Sequence, residues 1–314
     1  MRITNNMLVN NLVYNLNQNL KTMEKLQYQL ATGKKFRVPS DDPIGASKSL
    51  KFNTDISKLE QYKRNAEDAM SWMNDTEAAL AEIGEVLKRA YELTVDAANG
   101  TKDDGDLLKI REEIEQLKDH LVQIANTTYS GRHIFSGYKT DKPLMIVVEG
   151  ENGKKIKYNI SIDKSEVFVY NVGISERVEV NTLGGLVFGA PYVGYSGEVT
   201  KGHTPGLIKV FNNLSQALEE TNSEGLQEAI EDLQAGMEQV LSVRSQVGAK
   251  MNRLELTVKK LDLQINNTKE LLSYNEDVDI AEAIMHMSMA QNVYVSSLMT
   301  GAKIIQPSLA QFLS

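Results

Sequence analysis

Between residues 226 and 272, apolar side chains return in alternating steps of four and three. The positions are Leu226, Ile230, Leu233, Met237, Val240, Arg244, Val247, Met251, Leu254, Val258, Leu261, Ile265, Thr268 and Leu272, and only Arg244 and Thr268 are not apolar. No proline interrupts them. A sustained 3.5-residue repeat is the pattern of a coiled-coil seam. At about 1.5 Å per residue, the helix it predicts is roughly 70 Å long, which suits an elongated bundle or a polymer better than a compact domain. A second seam, Ile56, Leu59, Ala66, Met70, Met73, Leu80, Leu87 and Tyr91, falls on a helix predicted from Pro43 to Ala98 and is interrupted at Lys63, Glu77 and Gly84. Leu107, Ile110, Ile114, Leu117, Leu121, Ile124 and Thr128 give a shorter one. A fourth runs through Ile280, Ile284, Met287, Gln291, Tyr294, Leu298, Gly301 and Ile305.

Residues 1–32 also read as a helix, apolar at Ile3, Met7, Val9, Leu12, Leu16, Leu20, Met23, Leu26 and Leu30 but rich in asparagine. Asparagine is a mediocre helix former, so this helix needs packing to persist and is expected to be mobile in a free monomer. Thr32-Gly33-Lys34-Lys35 breaks it. In the run Pro39-Ser40-Asp41-Asp42-Pro43, Asp42 is placed as an N-cap with Pro43 at the first helical position. Gly131 is expected to close the third helix, and Thr204-Pro205 to open another by the same capping logic. Asp279 with Glu282 has the spacing of a capping box at the start of the last helix. Between these helical ends the texture changes. Residues 145–148, 155–160, 167–172 and 177–180 are β-rich, and Glu151-Asn152-Gly153 reads as a hairpin turn.

The expected fold is therefore mainly α: an elongated antiparallel helical bundle or coiled coil formed by both chain ends, with a small inserted β domain. Its expected divisions are 1–42 with 278–314, then 43–141 with 205–277, and 142–204 as a surface domain.

Composition narrows the function. A length of 314 residues allows two or three domains. A net charge of −8 argues against a nucleic-acid partner. With no cysteine, disulfides and thiolate metal sites are excluded. No segment has the roughly 20 apolar residues of a membrane span. The start MRITNNMLVNNL lacks a basic region followed by an apolar one, so no ordinary cleavable signal is expected. His120, His133, His203 and His286 are isolated, without ligand spacing. Asp103-Asp104-Gly105-Asp106 lacks the spaced ligands of a calcium loop, and no phosphate-cradling glycine motif is present. Nothing points to an enzyme, a cofactor or a metal.

Four segments carry a resemblance. They are MRITNNMLVNNLVYNLNQNL, ATGKKFRVPSDDPIGA, SGRHIFSGYKTDKP, and the C-terminal stretch holding RSQVGAKMNRLE and DVDIAEAIMHMSMAQNVYVSSLMTGAKIIQPSLAQFLS. In order and content they resemble the bacterial flagellin superfamily over roughly residues 1–140 and 205–314. Arg244, Gly248, Ala249 and the Asn252-Arg253-Leu254-Glu255 run are shared with flagellins broadly. The PSDDP run, the IFSG at 134–137 and the ending KIIQPSL resemble more narrowly the family's hook-associated junction members, with the filament subunit, flagellin, as the rival reading. A third reading, independent of the resemblance, is an intracellular coiled-coil scaffold.

The resemblance implies an extracellular, non-catalytic flagellar subunit in contact with the first hook-associated junction protein, with flagellin and with copies of itself. It implies passage through the type III export apparatus with the help of an export chaperone. Subunit assembly is expected to use Ile3, Met7, Leu12, Leu16, Leu20, Ile280, Ile284, Met287, Gln291, Tyr294, Leu298 and Ile305. Ile284, Met287 and Leu298 are the expected chaperone contacts. Arg244 and Gln291, polar on apolar seams, are candidates for setting register, or else reach solvent past their aliphatic stems.

Overall fold

The structure, a computed structural model, describes residues 5–99, 104–150, 153–189, 198–220 and 222–305. Seven helices and six short strands follow one another along the described chain. Helix α1 spans Asn5–Thr32, α2 Pro43–Ala98 and α3 Asp104–Ala125. The strands are β1 Thr128–Tyr129, β2 Arg132–His133, β3 Met145–Gly150, β4 Gly153–Tyr158, β5 Val169–Asn171 and β6 Arg177–Glu179. Then come α4 Gly184–Phe188, α5 Gly206–Glu219, α6 Ser223–Glu276 and α7 Ile280–Ile305. The chain divides into two compact units. Met1–Lys58 with Leu263–Ser314 form one, and Leu59–Asp262 the other. Both boundaries fall inside helices, α2 and α6.

In the Leu59–Asp262 unit the predicted seams are the buried faces. Along α6, Leu226, Leu233, Val240, Val247, Leu254 and Leu261 are all buried. Along α2, Ala66, Met73, Leu80 and Leu87 are buried. The charged interruptions of the α2 seam have partners on α6. Lys63 Nζ lies 2.7 Å from Asp262, and Glu77 accepts from Arg244. Helix α5 lays Leu207, Ile208, Phe211 and Leu214 into the same core. It starts one residue later than its capping residues predict. Pro205 is itself the cap residue and no side chain caps the helix; burial of Pro205, Gly206 and Leu207 anchors that end instead.

The strands form three separate two-stranded antiparallel sheets. Gly131 does not close α3, which ends at Ala125. It turns the β1–β2 hairpin together with Ser130, both at positive φ (77° and 48°), the conformation such two-residue turns require. Thr128 is therefore a strand residue and not the end of the third seam. In the β3–β4 pair, Gly150 faces Gly153; Glu151 and Asn152 lie outside the described residues.

The IFSG run ties this unit together. Ile134, Phe135 and Ser136 are at most 1% exposed. Phe135 meets Phe188 edge to face, with centroids 5.5 Å apart, and its carbonyl accepts from Gly184 N at 2.9 Å. A Cβ on Gly184 would lie 2.4 Å from Leu144 Cδ2 and 2.9 Å from Phe135 O, so only glycine lets α4 approach this closely. Trp72 packs edge-on against Tyr129 and Phe168, at 5.7 and 6.1 Å.

Candidate assembly surface

The terminal unit is built from α1, the first turns of α2, the end of α6 and α7. Leu12 lies against Gly301, and Leu26 and Gln29 line one groove with Glu282, Ala283 and His286. Those two contact points make α1 and α7 antiparallel. The less exposed positions of α1 run Val9, Leu12, Leu16, Asn19, Met23, Leu26 and Leu30, with Tyr28 and Gln29 outside that series near its end, and on α7 they are Ala283, Met287, Ala290, Tyr294, Ser297 and Gly301. Each set keeps three-and-four spacing, as two packed helices require. A Cβ on Gly301 would stand 2.5 Å from Leu12 Cδ2.

The inner face of α7 is thus offset from the seam read in the sequence. Met287, Tyr294 and Gly301 belong to it. Ile280, Ile284, Gln291 and Leu298 do not, and are exposed. On α1, Leu12 and Leu16 turn inward while Met7 and Leu20 are exposed, and Asn19 takes the seam position beside Leu20. The cause is composition. Helix α7 is apolar on more than one face, and four of the six positions on its contact face, Ala283, Ala290, Ser297 and Gly301, are small residues that a count of large apolar side chains overlooks. Ile3 lies outside the described residues; Ile305 ends α7, and its side chain is likewise outside them.

The surface that remains carries many large apolar side chains. Met7, Leu8, Val13, Tyr14 and Leu20 are exposed on α1; Ile280, Ile284, Met285, Met289, Val293, Val295, Leu298 and Met299 are exposed on α7. An area of this kind marks an interaction site. Among the described residues no helix is long and apolar enough to cross a membrane.

A polar buckle fixes the roots of both terminal helices. Gly33, at φ 72°, lets the chain turn out of α1, and its carbonyl accepts from Val278 N at 2.8 Å. Lys35 N donates to Glu276 O at 2.6 Å. Lys34 Nζ reaches Asp277 at 2.7 Å and Glu276 at 2.9 Å. The Lys34 bond, followed by Ser273, holds the Asp277 carboxyl below its ordinary range, and Asp277 and Glu276 in turn raise Lys34. At Glu276 burial works against ionisation, yet the bonds to Lys34 and Ser49 bring it below its usual value.

The PSDDP run is the second half of this joint. Asp41 accepts from the N–H groups of Arg37 and Val38, which lowers its pKa. Asp42 caps α2 through Ile44 N and Gly45 N, at 3.2 and 2.9 Å. Pro43 is the first residue of α2; Pro39 and Ser40 are exposed in the loop before it. Gly45 is buried, and a Cβ there would strike the Asp42 carboxylate at 2.4 Å. Asn275 Nδ2 donates to Gly45 O and Ser49 Oγ, both at 2.8 Å. Asp279 caps α7 as expected, accepting from Ala281 N and Glu282 N; Glu282 turns instead to His286, 3.4 Å away.

On α6, Asn252 is exposed, while Arg253 joins Lys260 and Thr257 around Glu176, at 3.4, 2.9 and 3.3 Å. Lys260 foremost lowers the Glu176 carboxyl. The histidines are scattered: His120 meets Glu82, His133 meets the Asn126 carbonyl, and His286 meets Glu282. Among the described residues no group of three or more histidine or carboxylate side chains is placed to hold a metal ion.

Comparison with known proteins matches both helical ends. The model of the bacterial flagellin N-terminal helical region fits residues 3–140, and that of the C-terminal helical region fits residues 230–313. The chain is 28% identical over 286 residues to a flagellin of Bacillus subtilis, covering 90% of this chain and 89% of that one. It is 27% identical over 275 residues to the flagellar hook-associated protein 3 of Escherichia coli, covering 85% and 86%. The crystal structure of flagellar hook-associated protein-3 from Legionella pneumophila has the same fold, with a TM-score of 0.58 at 18% identity over 72% of this chain and 98% of that one.

Proposed function

The chain belongs to the bacterial flagellin family, and on that premise we propose that it is a structural subunit of the flagellum, the hook-associated subunit that joins hook to filament. It works without catalysis, by burying apolar helix faces between copies and partners. One observation carries this reading. The near full-length similarity to a hook-associated protein 3 coincides with the PSDDP and IFSG runs, and both runs are built into the joint and the core described above. Flagellin itself is the second reading, favoured by the equal similarity to the B. subtilis filament protein.

The roles divide along the chain. Residues 1–42 with 278–314 form the polymerisation region, 43–141 with 205–277 the helical bundle, and 142–204 a surface domain. The first hook-associated junction protein lies on one side, flagellin on the other, and copies of the chain on its flanks. Before assembly, an export chaperone covers Ile284, Met287 and Leu298, and the type III apparatus passes the chain out of the cell. The exposed face of α7 supports this, because it is a self-association hazard in the cytoplasm.

Deletion of the gene, with motility and electron microscopy of the hooks as readouts, tests the proposal. Bare hooks with flagellin lost to the medium are expected, and immunogold label on a tagged chain should fall at one narrow band between hook and filament. Label along the whole filament would replace this reading by the flagellin one.

A further inference from the structure

The β5–β6 hairpin ends in Ile174, which is 93% exposed, the largest value for any large apolar side chain among the described residues. A lone exposed isoleucine is ordinary on a protein surface. This one is braced. Val172 and Val178, on the two arms of the hairpin, are buried, and Val172 N donates to Glu176 O at 3.0 Å across the tip. The Glu176 carboxylate is gripped from α6 by Arg253, Thr257 and Lys260. Asn65 on α2 donates to Asn171 O at 2.8 Å. The hairpin therefore presents an apolar knob whose ordering cost is already met within the monomer.

The same unit carries a groove of roughly 580 Å³ between α2 and α6 beside Gly84, apolar within and charged at its edge. Leu80 and Val240 form its floor, Met237 and Leu241 its walls. Nothing lies within 4 Å of where a Gly84 side chain would begin, so the groove is open at that point. Methionine in the wall adapts to an incoming side chain. Glu85 and Glu238 stand on its rim without ion-pair partners among the described residues, with Lys88 beside them and Arg244 taken up by Glu77. On the hairpin, Arg177 is exposed three residues from Ile174 and is likewise unpaired among the described residues, whereas Lys250, Arg253 and Lys260 are taken up by Glu179 and Glu176. Arg177 thus offers one unpaired positive charge to two unpaired carboxylates, which steers the docking and fixes its register.

We propose that the hairpin tip of one copy enters the Gly84 groove of the next copy, with Ile174 as the inserted side chain and Arg177 facing Glu85 and Glu238. The inference rests on the self-assembling subunit proposed above and names one of its contacts. A copy does not fill its own groove. The hairpin is held at residues 253–260 of α6 and the groove lies at 234–244, roughly 25 Å apart along the helix at 1.5 Å per residue. Knob and groove are different patches on the same unit, so the contact is heterologous and propagates from copy to copy. It closes a ring or continues a helix.

The chain has no cysteine, which makes the contact directly readable. Ile174→Cys, Leu241→Cys and the double variant are expressed in place of the native chain, and hooks with their filaments are isolated and oxidised. Both sites are exposed, so the fold tolerates the changes. The double variant is expected to give a ladder of disulfide-linked multimers. A mixture of the single variants gives one dimer band, and each single variant alone gives none. Arg177→Glu in the double variant removes the ladder, and Glu238→Lys added to it restores the ladder. Immunogold label is read in the same preparations. Label at the junction without a ladder or dimer overturns the hairpin contact and leaves the subunit role standing. A disulfide adduct of the Leu241→Cys variant with another protein assigns the groove to that partner and overturns the contact equally. Absence of label from the junction overturns the subunit role and the contact together.

Discussion

Arg244 on α6 donates through Nε and Nη2 to a single carboxylate oxygen of Glu77 on α2, at 2.8 and 2.7 Å. Each residue interrupts an otherwise apolar seam, and each interruption answers the other. The pair is partly open to water, with side chains 45% and 33% exposed, so it contributes about 0.2–1 kcal/mol to stability. Arg244→Leu is expected to leave the melting temperature of the monomer nearly unchanged while impairing junction formation, because a polar pair on a seam specifies register more than it stabilises. Native junctions with Arg244→Leu, counted by electron microscopy, would refute the register role.

Gly301→Val should open the α1–α7 pair. Leu12 occupies the space the new side chain needs, and overpacking of this kind costs about 1–3 kcal/mol. Amide exchange at residues 9–30 and 283–301 should accelerate, while the Leu59–Asp262 unit keeps its protection. Equal exchange in both proteins would show that Leu12 simply rotates aside.

Acid should loosen the buckle. Asp277 and Glu276 have folded-state pKa values below their ordinary 3.8 and 4.5. Their contribution is therefore present above the ordinary carboxylate range and is lost as the pH falls through the lowered folded values. Lys34, raised above 10.5, loses its share only as the pH rises past that range. Between these limits the joint is insensitive to pH. Helical circular dichroism from about pH 5 to about pH 2 should fall earlier in Lys34→Met than in the native chain, since the depression of Asp277 depends on Lys34. Coincident curves would remove Lys34 from the account.

Phe135→Ala should cost about 3–5 kcal/mol, the usual price of deleting a buried aromatic ring. Trp72 is the only tryptophan in the chain and sits in the same core, so its emission reports the event. A red shift at a lower denaturant midpoint is expected. An unchanged midpoint would mean that Phe188 and Leu144 close over the gap.

Ile284→Asp and Leu298→Asp, alone and together, should weaken binding of the export chaperone without altering the monomer, because both side chains are exposed. Met287 is half-buried toward α1, so Met287→Asp should disturb both. Calorimetric titration separates the cases. Native affinity in the Ile284/Leu298 double variant would restrict that face to the polymer.

Long seams are legible in sequence because their period is repeated many times: α2 and α6 follow the apolar count closely, and the caps at Asp42 and Asp279 follow from local hydrogen-bonding chemistry. Helix α7 is harder. Its apolar side chains surround the helix, so periodicity admits several faces, and the one used is marked by Ala283, Ala290, Ser297 and Gly301. Gly131 resembles a helix terminator because glycine serves turns and helix ends alike. The buckle at Lys34 joins residues 243 positions apart, and no local pattern encodes a pairing of that separation. The knot at Ile134–Gly137 shows as a motif, but its purpose depends on α4 and Leu144 arriving from elsewhere in the chain.

The partly open pairing of α1 and α7 sets a thermodynamic condition on the terminal unit. Of the inner positions only Ala283 and Gly301 are buried, while Leu12, Leu16, Met23, Leu26, Met287 and Tyr294 stay partly open, so closing the pair withdraws only part of its apolar area from water and leaves the rest for whatever surrounds it. Folding of this unit and association of copies then draw on the same free energy. Its apparent stability should rise with the concentration of its neighbours, so that dilution, rather than heat, is the mildest way to melt it.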